Sequence, residues 1–420
     1  MITDPLAQLA IIWLVVFLAI YLARRTRLTP VLFYLFVGAA LVNLGILPEE
    51  TAPLIRGLSD IGIIVIMFAL GFEENTSAFL RSVRRSWGIA LFGAIAPFVA
   101  AYAVAWYFWQ DVNVALMCGL AMTATAVSLT MVSLKSEGLA ATAAATGIMT
   151  SAVLDDIASL ALVAVLVPIA TGSGELSAAG VILTLGKAAL FFLLVSAVAA
   201  WVLPDDAPRR VPLLGRIGLR NVLSFAHGEH ATLTVLFVAL IAGLIGYEFG
   251  FHPAVGAYMA GLVLREEYFA IPGSGERNLF TETRKVIDNA AFSWIGPIFF
   301  VELGTKIVFD WPVVASVIPE AATLTITVFV AQVVSASLAA RYTGDFAWPD
   351  AVMIGFGMLG RAELAFVVMD IAYVQNAILS TEAFYTLMFT CFCLNIAVPV
   401  TIALWKPYHT GGRIFGSRKA

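Results

Sequence analysis

Apolar runs of about 20 residues, each long enough to cross a bilayer as a helix, recur along nearly the whole chain. Clusters of Gly, Pro and charged residues punctuate them. The pattern predicts thirteen membrane spans, at 9–24, 29–47, 59–77, 87–109, 113–133, 144–170, 179–203, 231–247, 250–264, 291–307, 314–340, 349–372 and 382–404. The first run, Leu9–Ala23, has its basic residues (Arg24, Arg25, Arg27) behind it. A signal peptide carries them in front, so this run reads as a genuine first span with the N-terminus outside.

Charge placement tests that topology. Of the 24 Lys and Arg residues, counting those at a span's end with the side they adjoin, only Arg56 and Lys306 lie on the outer side and only Lys187 and Arg361 within span interiors, which leaves 20 on the inner side. Gaining or losing one span would scramble this asymmetry, so the positive-inside rule supports an odd count. Composition agrees: 61% of residues are hydrophobic and 12% charged, with a mean hydropathy of +0.94. A soluble domain carries roughly twice that charge. No hydrophilic stretch is long enough for a soluble domain. The longest, Pro204–His230, reads as an inner linker with Arg209, Arg210, Arg216 and Arg220. Cys118, Cys391 and Cys393 lie in apolar runs without disulfide or zinc spacing, the four histidines show no ligand spacing, and no cofactor or nucleic-acid partner is expected.

An internal echo accompanies the spans. "IGIIVIMFALG" (Ile61–Gly71) in the third resembles "IGPIFFVELG" (Ile295–Gly304) in the tenth. An offset of seven spans reverses the direction of crossing, the pattern of inverted-topology repeats in secondary transporters. The same offset links the fifth and twelfth spans, and both look interrupted. The fifth carries Thr123, Thr125, Ser128 and Thr130, and the twelfth carries Gly355, Gly357 and Gly360 ahead of Arg361 and Glu363. Unwound backbone inside a membrane must line a cavity or be buried in protein. Two discontinuous helices at matching repeat positions are therefore expected.

The sixth span places Asp155 and Asp156 side by side. On a helix the two project about 100° apart, and Ser151, Asp155 and Ser159 share one i, i+4 stripe. Two ionised carboxylates roughly 6 Å apart repel by roughly 2.8 kcal/mol at an effective dielectric near 20. One of them accordingly holds either a proton or a hard monovalent cation, not both, with hydroxyls and carbonyls of an unwound neighbour completing the oxygen shell. Intramembrane acids usually mark ion or proton pathways. Arg361 and Glu363 read as neutralising partners across helices. Glu302, deep in the tenth span, requires protonation or a partner. Asp60, Glu248 and Asp370 fall near span ends.

Taken in order, "LSDIGIIVIMFALGFE", "TATAVSLTMVSLKSEG", "GIMTSAVLDDIASLALVAVL", "HPAVGAYMAGLVL", "IGPIFFVELG" and "GFGMLGRAEL" resemble the bacterial monovalent cation:proton antiporters of the NapA and Kef type, over about residues 10–400. The resemblance implies an all-α, thirteen-span fold with two crossed discontinuous helices. It also implies a homodimer in which a scaffold (about 9–47 and 179–264) supports a mobile core (about 59–170 and 291–404). It makes Asp156 the carboxylate that carries Na⁺ or K⁺ and H⁺, with Asp155 beside it, Thr125 and Ser128 nearby, and Thr123 and Ser151 as further candidates. Elevator-like alternating access in a bacterial inner membrane follows. Two departures stand out. Electrogenic members carry a lysine in the eleventh span, where this chain has Gln332, so one proton is expected per cation, with no net charge moved. Glu302 replaces a small or neutral residue and joins Gln332, Arg361 and Glu363 as a supporting network. No nucleotide-binding regulatory domain of the kind that Kef-type systems add is expected after the membrane region.

Other classes were weighed. A sodium-coupled organic-anion symporter of related fold needs no adjacent Asp pair. A non-exchanging channel or sensor would show single-channel currents. An intramembrane aspartyl protease needs aspartates facing each other from different helices and a Gly-x-Gly-Asp, which the chain lacks, so an enzyme is not expected.

Overall fold

The computed structural model describes residues 2–26, 28–73, 76–140, 142–170, 229–249, 252–264, 266–269, 278–308, 311–361 and 363–409, with the isolated positions 186, 190 and 223. Among them the secondary structure is entirely helical. Twelve of the thirteen expected spans fall on helical segments; the one at 179–203 lies outside the described residues except for Gly186 and Leu190. By length and composition alone, seven helices qualify as membrane-crossing.

The segments are α1 (Pro5–Thr26), α2 (Pro30–Asn43), α3 (Pro53–Glu73), α4 (Thr76–Trp109), α5 (Val112–Ala121), α6 (Val127–Ser136) and α7 (Ala143–Ala170). They continue with α8 (Ala231–Glu248), α9 (Pro253–Val263), α10 (Leu279–Asn289), α11 (Gly296–Thr305) and α12 (Trp311–Ser316). The last are α13 (Ile318–Tyr342), α14 (Trp348–Gly357), α15 (Glu363–Asp370) and α16 (Thr381–His409). Large apolar side chains point outward, among them Leu14, Phe17 and Tyr21 on α1 and Leu233 and Phe237 on α8. That arrangement suits lipid as the solvent.

Contacts divide the chain into two compact units. The first comprises Met1–Val16, Leu44–Thr76 and Gly174–Thr305. Its helices approach through glycine. A Cβ on Gly71 of α3 would strike the carbonyl oxygen of Tyr258 on α9, and one on Gly261 would strike that of Phe68. Small residues allow this backbone approach where no hydrophobic effect drives helices together. The tenth span begins earlier than expected: α10 runs through a π-turn, Ala290–Trp294, into α11. The π-turn's Trp294 carbonyl accepts from the Trp13 indole N–H (3.0 Å). Glu302 is buried in the last turn of α11. Its Oε1 accepts from the Thr51 hydroxyl (2.9 Å).

The second unit comprises Phe17–Asn43, Ser77–Ser173 and Lys306–Ala420. This grouping differs from the core expected from sequence, because the third and tenth spans belong with α8 and α9. Here α13 shows how one face is chosen. Ile326, Val330, Val334 and Leu338 point out at steps of four, while Leu324, Val328, Gln332 and Ala336 form the buried stripe. On α16, Cys391, Asn395, Val398 and Ile402 are buried on one face and Ile396, Val400 and Leu404 are exposed. The end of α16 reaches both broken helices. Lys406 Nζ meets Glu137 Oε2 (3.1 Å), just beyond α6, and His409 Nε2 meets Asp350 Oδ1 (2.8 Å) in the first turn of α14.

Candidate ion-exchange site

Two helices break inside the second unit. Between α5 and α6 the chain from Met122 to Ala126 leaves helical geometry, and between α14 and α15 it does so from Met358. The breaks bond directly to one another. The Ala126 N–H donates to Gly360 O (2.9 Å), and the Thr130 hydroxyl donates to Gly357 O (2.7 Å). A Cβ on Gly360 would press on that of Ala126 at 3.0 Å, a tight contact that favours glycine there.

Arg361 lies in the second break and is fully buried, the largest side chain so placed among the described residues. Its Nη1 donates to Met358 O (3.1 Å) and Gly360 O (3.0 Å), and its Nη2 to Gln332 Oε1 (2.7 Å). The guanidinium thus satisfies carbonyls that the helix abandoned, as buried backbone requires. Its backbone is gripped from α16. The Arg361 N–H donates to Asn395 Oδ1 (3.0 Å), and Asn395 Nδ2 donates to Arg361 O (2.6 Å).

Against this charge stands Asp155 on α7. The carboxylate is fully buried and within electrostatic reach of the Arg361 guanidinium, whose own hydrogen bonds go to Met358, Gly360 and Gln332. One oxygen, Oδ2, accepts from the Thr125 hydroxyl at the first break (2.7 Å). The other, Oδ1, and the Oγ atoms of Ser151 and Ser159 are buried without a hydrogen-bond partner among the described residues. Unpartnered buried oxygens are costly, and oxygen is what a hard cation takes as ligand. Asp155 Oδ1, with a serine hydroxyl one turn to either side, offers oxygen of the kind an alkali cation takes.

The family description "Sodium/hydrogen exchanger, transmembrane" matches residues 13–405. The chain belongs to the sodium/hydrogen exchanger family. As a member of that family it is a multi-pass membrane transporter, not an enzyme, and it is of the monovalent cation:proton antiporter type that its motifs resemble. It is 26% identical to the probable Na⁺/H⁺ antiporter GerT of Bacillus cereus over 354 residues, covering 84% of this chain and 85% of the relative. It is 25% identical to the Na⁺/H⁺-K⁺ antiporter GerN of the same species over 398 residues, covering 93% and 94%. The structure of the sodium proton antiporter MjNhaP1 from Methanocaldococcus jannaschii superimposes with a TM-score of 0.67 at 13% identity, covering 96% of this chain and 99% of that one. That likeness concerns the fold.

Within this exchanger the residues singled out from sequence separate into groups. Asp155, Thr125, Arg361 and Gln332 come together, and Ser151 shares the Asp155 stripe. Arg361's electrostatic partner across helices is Asp155; Glu363 begins α15 and is half-buried. Thr123 spends its hydroxyl on Leu120 O (2.7 Å), closing the end of α5. The side chains of Asp156 and Ser128 lie outside the described residues, although the backbones of both are helical. Glu302 belongs to the first unit, with Thr51. Cys118 and Cys391 are buried and Cys393 is exposed. Asn395 was missed because the sequence reading followed charges. The available signal was a lone amide in the apolar run "CFCLNIAVPV".

Proposed function

We propose that the chain exchanges Na⁺ or K⁺ for H⁺ across a bacterial cytoplasmic membrane, one for one, by alternating access. The supporting observation is the Asp155–Arg361 arrangement at the meeting of the two breaks. One acid and one guanidinium balance there, and Gln332, where electrogenic relatives have lysine, adds no charge. The neighbouring carboxyl, Asp156, is then the seat that alternates between proton and cation. Both loaded forms are neutral, so a cycle moves no net charge. Thr125, Asp155, Ser151 and Ser128 supply oxygens to the cation.

The third and tenth spans share one unit and the fifth and twelfth the other, which supports reading the chain as inverted repeats of a thirteen-span protein. In this proposal the unit bearing the breaks is the carrying body. The unit holding α3, α8, α9, α10 and α11 is the static scaffold of a homodimer.

The test is proton flux in proteoliposomes against Na⁺ and K⁺, with and without a potential clamp. Asp156→Asn assembles but exchanges nothing; full activity in that variant refutes the site. In the wild-type protein the apparent cation affinity falls as pH drops, because the proton competes for the same oxygens. A flat dependence between about pH 6 and 9 contradicts a shared carboxyl seat, since competing ligands must be linked. The rate is insensitive to potential. A net charge moved per cycle would instead respond by about 2.3 kcal/mol per 100 mV.

A further inference from the structure

A residue inside a helix break has lost the partners of both its N–H and its C=O. At Arg361 one side chain restores both. Asn395, fully buried on α16, accepts from the Arg361 N–H and donates to the Arg361 carbonyl, at 3.0 and 2.6 Å. The primary amide suits this grip. It presents one acceptor and one donor in a plane, as the edge of a neighbouring strand would. Ionised aspartate offers acceptors only, and alanine offers neither group.

The grip determines where a charge sits. With its backbone fixed, the Arg361 side chain folds beneath its own break to reach Met358 O and Gly360 O, while Gln332 on α13 holds its other nitrogen. α13 and α16 are themselves tied by the Thr325 and Thr390 hydroxyls (3.3 Å) and by Thr390 donating to Ala321 O (3.4 Å). Asn395 and Gln332 are thus presented from one braced pair of helices. The groups acting on the guanidinium are Asp155 from α7, the Cys391 thiol from α16 and the neutral Gln332 from α13. Asp156 follows Asp155 on α7, with its side chain outside the described residues.

We propose that Asn395 is a positioning residue for exchange: its amide clamps the Arg361 peptide and so fixes the guanidinium relative to the Asp155 carboxylate, which sets the balance between proton and cation at the acidic seat. The coupling to exchange rests on the reading given under Proposed function; the clamp itself does not.

Two measurements on the full-length protein in nanodiscs or proteoliposomes test it. In Asn395→Ala, amide hydrogen exchange over residues 357–364 speeds up at least tenfold, while the rest of α16 and α7 keep wild-type protection. In the same variant, the pH of half-maximal Na⁺-driven proton release moves alkaline by about half a unit or more, since a loosened opposite charge favours the ionised acid less. The apparent KM for Na⁺ at neutral pH rises by more than the maximal rate falls. Asn395→Leu, which keeps the shape and loses both donor and acceptor, shows the same changes, and it carries the test if the alanine variant does not assemble. Asn395→Gln, the same amide on a longer stem, recovers part of both. Unchanged protection over 357–364 overturns the clamp. Faster exchange there beside an unmoved pH profile and KM makes Asn395 merely structural and overturns the positioning role. A wild-type protein that exchanges no ion sinks the exchange reading and the coupling with it, with the clamp still judged by its protection.

Discussion

The two helix interruptions of the second unit are closed by different means. Between α5 and α6 the chain largely looks after itself. The Met122 N–H turns back to Gly119 O (3.1 Å), the Thr123 N–H to Leu120 O (3.2 Å), and the Thr123 hydroxyl to that same carbonyl. Between α14 and α15 the Met358 and Leu359 N–H groups also turn back, to Ile354 O (3.0 Å) and Phe356 O (3.3 Å), but the carbonyls reach for donors beyond the break: Gly357 to Thr130, Met358 to Arg361, Gly360 to both Arg361 and the Ala126 N–H, and Arg361 to Asn395. A self-closed break leaves its hydroxyl, Thr125, free to serve a carboxylate. A break closed from outside is filled by whatever closes it, here a guanidinium. One interruption thus contributes a ligand and the other contributes the charge that balances the acid.

Removing the charge tests this contrast most severely. Arg361→Met takes the donor from the Met358 carbonyl, one of two donors from Gly360 and the opposite charge from Asp155 at once, and leaving a buried charge uncompensated costs about 3–5 kcal/mol. Thermal unfolding in detergent should show a large drop and liposome exchange should vanish. A cost below about 1 kcal/mol would mean that the second break closes itself after all. At the first break, Thr125→Val keeps the shape and removes the donor to Asp155, at about 1–3 kcal/mol for a buried acceptor left unmet. Its expected signature is a retained fold with weakened apparent Na⁺ affinity. If it unfolded the protein as fully as the arginine variant, the two breaks would not differ in kind. The smallest effect lies at the far ends, where α16 reaches both broken helices. Lys406→Met loses only the ion pair to Glu137. Lys406 is 39% exposed, so screening keeps the loss under about 1 kcal/mol, and the transport rate should barely change.

Much of this was legible along the chain, and the reasons for the rest are specific. The breaks lie where Thr and Gly cluster, because unwound backbone needs small or hydroxylated residues. The buried stripe of Ser151, Asp155 and Ser159 follows from i, i+4 spacing alone. The early start of the tenth span was hidden because Glu282, Arg284, Lys285 and Asp288 make the first turns of α10 polar, although they are helical. Gln332 was noticed for the lysine it replaces, whereas its observed bond is to Arg361. Asn395 escaped notice because an uncharged amide hardly disturbs hydropathy.

By itself, the sequence determined that the chain lives in lipid, where two helices must break, and that an acidic pair lies midway along a helix. All of these follow from local matters: the cost of moving a residue into hydrocarbon and the backbone preferences of neighbours. Only the tertiary structure decided which freed carbonyl meets which donor. Thr130 and Gly357 are 227 positions apart, and Arg361 and Asn395 are 34 apart. No spacing rule reaches across such separations, because the pairing is fixed by how whole helices pack.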